Sequence, residues 1–235
     1  MARVGRPPQD PVQRAHRILD AAAELVVRWG YDKTTIDDVA KRAGVAKGTI
    51  YLHWKTRDDL FVALLRRERL RVMEEMRASG PATPGELFGG FVGAALGRPL
   101  MRAVLVGDSE VLGKFSRMRR QSTTGLELGP AFDAYIERLI EHGAVREQAG
   151  DNMIAIAAIV HGFVSLSDML PEKVPDERIA ELVTDTIERT LGTGRNLPDD
   201  DARAVAQATL DLLDAMAETA RGKLAVSLGA GERAR

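Results

Sequence analysis

Apolar residues between Thr34 and Leu60 fall in short bursts at helical spacing, separated by residues that open and close helices. Ile36, Val39, Ala40 and Ala43 recur three and four apart, which gives a short helix one apolar side. Thr35 with Asp38 is a capping box: the threonine oxygen accepts from an orphan N–H of the first turn, and the acid sits at the positive helix end. Gly44 stops this helix, because glycine takes the left-handed backbone of a tight turn at no steric cost. Val45 plugs the angle of the turn, and helix resumes over 46–54, anchored by Ile50 and Trp54, four apart. Thr56 with Asp59 repeats the capping box and opens a third helix carrying Leu60, Phe61, Leu64 and Leu65. The pattern predicts a helix-turn-helix over about 36–55, with its second helix as the reader.

Upstream, the spacing predicts a helix from about Asp10 to Trp29, with Ile18, Ala22, Leu25, Val26 and Trp29 on one stripe and Gly30 at its end. The helix from Thr56 runs on through Met73 and Met76 toward Gly80, long enough to join two parts of the molecule as a lever. After the linker SGPATPGE no strand alternation occurs, and helical period predicts elements near 84–96, 99–106, 108–118, 122–142, 151–170, 176–191 and 200–221. Beyond the last of these, GKLAVSLGAGERAR is expected to fray. Gly89, Gly93 and Gly97, four apart, either admit close helix contact or soften that helix beside a cavity. The fold class expected is all-α, with a DNA-reading body at 11–72 and a larger helical body at 73–235.

From Thr34 to Leu60 the chain resembles the tetracycline-repressor (TetR) family of bacterial regulators. That family's threonine, small residue, Ala-Gly-Val, Gly-Thr-Ile-Tyr core, His-aromatic pair and basic residue are matched almost continuously. The likeness covers the first quarter to third of the chain, and beyond it only the layout is similar. Ala46 departs from the usual serine cap; Trp54 and Arg57 stand where phenylalanine and lysine are usual. The resemblance implies a homodimeric repressor on an inverted-repeat operator in double-stranded DNA, released by a small-molecule effector bound in the helical body. The alternative is a dimeric DNA-binding regulator without a small-molecule ligand, either an activator or a protein-controlled switch.

Candidate DNA contacts follow from the reader helix. Lys47, Thr49 and His53 are placed near base edges, with Gly48 beside them; Tyr51 and Arg57 position the backbone, and Thr35 and Lys55 flank them. Arg57 has the fork geometry to engage phosphate bidentately. The arm before the first helix carries Arg3 and Arg6, read either as a minor-groove arm or as a solvated tail.

Charge agrees with this division. The net charge is −1, yet residues 1–57 hold eleven Lys and Arg against six Asp and Glu, which leaves the remainder acidic. Only the N-terminal part is suited to phosphate. The chain has no cysteine and four scattered histidines, so neither disulfide nor zinc site is expected, and no cofactor. Its N-terminus lacks an apolar signal core, and the best apolar run, Met153 to Val164, is too short to span a bilayer. A cytoplasmic protein without membrane contact is the expectation.

The segment DNMIAIAAIVHGFVSLSDML is apolar nearly all round, which a helix tolerates only when covered on more than one side. A second copy is the expected cover, with Ile154, Ala158, Val160, Leu182 and Ile187 at a four-helix dimer interface. The competing reading is a core helix of a monomer. Phe91, Phe115, Tyr135 and His161 are the candidate effector contacts. His161, Ser165 and Asp168 do not make a hydrolase triad: residues on one helix cannot surround a substrate carbonyl, and no nucleophile elbow is present. The chain is therefore not expected to be an enzyme.

Overall fold

The computed structural model describes residues 10–114, 129–147, 151–167, 172 and 174–229; among them the regular elements are eleven α-helices. They are α1 (Pro11–Trp29), α2 (Ile36–Ala43), α3 (Lys47–Tyr51), α4 (Arg57–Ser79), α5 (Pro84–Leu96), α6 (Pro99–Val106), α7 (Ser109–Leu112), α8 (Gly129–Glu141), α9 (Asn152–Ser167), α10 (Asp176–Leu191) and α11 (Asp199–Ser227). The expected all-α class is found. Residues 1–9, 115–128 and 230–235 lie outside the described part, and with them Arg3, Arg6 and Phe115.

Two apolar cores form. The first gathers Ile18, Leu19, Leu25, Ile36, Val39, Ile50, Trp54, Leu60, Phe61 and Leu64 from α1 to α4. The second gathers Leu70, Met73 and Met76 of α4 with residues of α5 and α8 to α11. Helix α4 thus contributes one half to each core, as its length required. Leu100, Ala103 and Leu112 of α6 and α7 also belong to the first core, so the helical body reaches back into the reading module. The stripe of α1 is buried except at its end, where Trp29 is 40% exposed. Gly30 turns the chain at φ 81°, and the ring of Tyr31, 1% exposed, takes the core position instead.

In the second core α5 packs most extensively on α10. The contact is close because α5 presents glycines: a Cβ on Gly89 would collide with the Thr184 hydroxyl and stand 2.8 Å from the Ala180 carbonyl. The Gly85 amide donates to Glu188 Oε1 at 2.8 Å. Of the two readings of the glycine series, close helix contact is the one observed. Helix α11 lies along α4, tied by Arg77 to Asp214 at 2.7 Å and by Arg66 Nη1 donating to the Lys223 carbonyl at 3.2 Å. The expected frayed tail is corrected here. The apolar spacing of Leu213, Ala217, Ala220 and Leu224 keeps α11 helical to Ser227, and Leu228 packs against both cores.

Candidate nucleic-acid interface

Local hydrogen bonds aim the reader helix. Thr35 Oγ1 accepts from the Asp38 amide at 3.2 Å while Asp38 Oδ2 accepts from the Thr35 amide at 3.1 Å, so both halves of the predicted capping box are present. Gly44 adopts φ 65°, ψ 39°, and the Val45 amide closes the turn on the Ala40 carbonyl at 3.0 Å. Ala46 gives α3 no side-chain cap. The regular helix ends at Tyr51, short of the expected residue 54, because the His53 and Trp54 amides both converge on the Ile50 carbonyl at 2.9 Å as the chain tightens. Ile50 and Trp54 are buried as anchors, at 0% and 3% exposure. Among the described residues the buried Trp54 Nε1–H meets no hydrogen-bond partner.

The nominated DNA residues divide into two groups. Gly48, Tyr51 and Lys55 are exposed around α3, and Thr49 is half-buried beside them. Lys47 is exposed and pairs with Asp37 at 2.7 Å, which holds its ammonium charged; that surface pair is cheap to exchange for a phosphate. His53 is half-buried, its ring 5.2 Å from that of Trp54. Thr35, exposed, and Arg57, half-buried, bond within the module. Thr35 Oγ1 donates to Asp38 Oδ2 at 2.5 Å in addition to its capping bond. Arg57 Nη1 reaches the carbonyls of Tyr31, Asp32 and Thr34 at 3.4, 3.4 and 3.1 Å, and its guanidinium lies 4.2 Å from the Tyr31 ring centroid. A residue passed over in the sequence is Leu52, 82% exposed at the end of α3. Apolar side chains at helical spacing read as core, yet Leu52 stands two positions from each anchor and so points away from it.

Charged groups fix the module to the rest of the chain. Asp58 accepts from Lys114 Nζ at 2.7 Å and from the Tyr31 hydroxyl, and these two bonds, Lys114 first, hold its carboxyl below the usual range. Burial, then the bond to Asp58, pushes the Tyr31 phenol upward. Deeper in the seam, the Arg67 guanidinium, 3% exposed, donates to Glu68 Oε1 at 3.0 Å and to the His16 carbonyl at 3.0 Å, and pairs with Asp20 at 2.8 Å. Arg71 joins Glu68 at 2.9 Å.

Of the nominated effector contacts, Phe91, Tyr135 and His161 lie among the described residues, and none of them lines the cleft beside α5. Tyr135 is buried, its hydroxyl 3.1 Å from Thr209 Oγ1; Phe91 is half-buried against the second core; His161 is exposed on α9. A cleft of about 510 Å³ opens elsewhere, between the Ala144–Arg146 turn, the Gly192–Leu197 segment and Thr83 and Pro84 at the start of α5. Of the nominated dimer contacts, Ile154 and Ala158 are exposed and Val160 and Leu182 half-buried. Ile187 is a correction: at 0% exposure it belongs to the core of a single protomer, because its side of α10 packs inward on α5. Among the described residues no single helix is long and apolar enough to cross a membrane.

Comparison with known proteins reaches the same module. A family model described as bacterial regulatory proteins, tetR family, matches residues 18–64, from the middle of α1 to Leu64 of α4. The fatty acid metabolism regulator protein of Bacillus subtilis (strain 168) is 38% identical over 60 residues, 26% of this chain and 31% of that protein. The aligned segment therefore spans about a third of this curated relative. Among solved structures, a putative tetR family transcription regulator from Shewanella sp. PV-4 aligns at 18% identity and TM-score 0.52 over 77% of this chain and 98% of that one. SmeT, the repressor of the Stenotrophomonas maltophilia multidrug efflux pump SmeDEF, aligns at 22% identity and TM-score 0.50 over 79% and 94%. At these identities the structural likeness concerns the fold.

Proposed function

We propose that this chain, whose N-terminal module matches the tetR family of bacterial regulatory proteins, is a ligand-released transcriptional repressor of that family acting as a homodimer on an inverted-repeat operator. The observation that carries the DNA-binding reading is the reader helix itself. Two capping boxes and the Gly44 turn hold α3 with Ile50 and Trp54 inward and with Lys47, Tyr51 and Lys55 outward around Leu52. The exposed apolar side of α9, with Ile154, Ala158 and Leu166, supports pairing with a second copy, and two-fold symmetry in the protein is matched by two half-sites in the DNA.

Release works through α4. Because that helix is shared by both cores, a molecule that shifts the helical body tilts the reading module with it. The cleft beside Thr83 and Pro84 lies just beyond the C-terminal end of α4, where a bound molecule acts on the lever with the longest arm. The domain division at about residue 72 belongs to the same proposal.

The test is a binding-site selection with the full chain, followed by light scattering of the complex. An inverted repeat bound by two copies is expected. Enrichment of no sequence, or tight binding of one copy to an unrepeated site, overturns the reading. For release, a compound found by thermal shift must weaken operator binding by the factor by which operator weakens its own binding, since coupling is reciprocal.

A further inference from the structure

The crest of the reader helix is apolar. In a helix of 3.6 residues per turn, successive side chains are about 100° apart, so Leu52 stands about 200° from Ile50, while Trp54 beyond the helix end is buried beside Ile50. Those two side chains point into the core, so Leu52 points straight out of the module. Helical geometry holds as far as this residue: its backbone is right-handed, and its amide donates to the Gly48 carbonyl at 3.2 Å. Gly48, one turn earlier, lies on the same strip. Its own surroundings do not require a glycine, since a Cβ there would meet no atom within 4 Å. The strip that leads into a groove is thus a bare backbone followed by an isobutyl group, while Thr49, Tyr51 and His53 stand on its flanks.

An 82% exposed leucine stabilises nothing within the protomer, and in water its apolar surface is unfavourable. In a major groove the one apolar feature on a base edge is the C5-methyl group of thymine, which 5-methylcytosine shares. We propose that Leu52 is a specificity-determining residue that packs on a pyrimidine C5-methyl in each half-site, with Gly48 allowing the helix to approach closely enough. This rests on the DNA-binding reading given above. Flanking polar residues make their contacts to either side, so the methyl contact sets preference at one position per half-site.

The experiment is a cycle of protein and DNA changes on the selected operator. Each thymine is replaced in turn by deoxyuracil, which removes the methyl and leaves base pairing intact; cytosines at positions not occupied by thymine are replaced by 5-methylcytosine. For the parent chain, one symmetric pair of positions should lose about fourfold in affinity per half-site with uracil, or gain as much with 5-methylcytosine, corresponding to one buried methyl. Which of the two substitutions responds identifies the source of the methyl. Leu52→Ala should abolish that difference, and Leu52→Met should keep it. All three proteins should melt alike, because the residue is exposed. Parent and Leu52→Ala discriminating thymine from uracil equally, or a parent indifferent to every such change while still binding its operator, overturns the assignment and leaves the DNA-binding reading intact. Absence of any selected operator overturns both.

Discussion

In the reading module two capping boxes and the Gly44 turn set where α2 and α4 begin and where α2 ends, whereas in the body the fold rests chiefly on what the helices pack against. Thr35 with Asp38, Gly44, and Thr56 with Asp59 fix where α2 and α4 begin and where the first turn runs, each through hydrogen bonds spanning at most five residues. The body instead relies on contacts between residues distant in sequence, such as Gly89 against Thr184 and Arg66 against Lys223. The difference follows from use. A side chain that must meet a base edge needs its backbone aimed within narrow limits, and local bonds do that independently of the remaining chain. Under the function proposed here, a body that takes up a ligand and transmits a shift needs helices that can move against one another, and contacts carried between helices allow that.

The seam between the two regions offers the largest effect. Glu68→Ala removes the carboxylate that faces the buried Arg67, and breaking such a pair should cost about 3 kcal/mol or more. The expected outcome is a thermal midpoint roughly 6–12 °C lower for a chain of this size. An unchanged midpoint would mean that Asp20 and the His16 carbonyl hold Arg67 without help from Glu68.

A substitution confined to the body comes next. Gly89→Val places atoms where the Thr184 hydroxyl stands, and overpacking of this kind costs about 1–3 kcal/mol. Hydrogen exchange should quicken in α5 and α10 before it quickens in α2 and α3. Within the module, Thr35→Ala deletes a cap worth about 1 kcal/mol and should raise exchange in α2 while leaving α10 as it was. Equal changes in both regions from either substitution would erase the contrast drawn above.

The smallest expected effect depends on pH. Asp58 is held below its ordinary range by Lys114 and Tyr31, so its bonds stabilise the fold above an unfolded pKa of about 3.9 and lose that contribution as pH falls through the lower folded value. Because Asp58 and Lys114 are both partly exposed, the contribution is at most about 1 kcal/mol. Asp58→Asn should lower the midpoint slightly at pH 6, and the difference from the parent should shrink as pH falls below about 4. A difference that grows on acidification would show that another group ties Tyr31 in place.

The same contrast explains what could be read from sequence. Caps and the glycine turn are local, so the module was legible almost residue by residue, down to the inward pair Ile50 and Trp54. Helix spans in the body were legible too, since period alone reports them, but partners were not. Nothing in the spacing of Ile187 tells whether its inward side meets a helix of its own chain or of a second copy; the glycines of α5 decide that, from about a hundred residues away. The carbonyl partners of Arg57 were hidden for a related reason. A guanidinium near a reader helix suggests phosphate, and only the fold brings the carbonyls of Tyr31, Asp32 and Thr34 under it. Leu52 was invisible to a rule that counts apolar residues as core.

The brace along α4 also has a history within each synthesis of the chain. Residues are added at roughly 5–20 per second during translation, so α4 emerges on the order of ten seconds before α11 exists to cover it. During that interval the first core is also short of Leu100, Ala103 and Leu112, which arrive some way behind the reading module. A nascent chain therefore holds a nearly complete reader on an uncovered lever, and α11, made well after α4, is the helix that covers it.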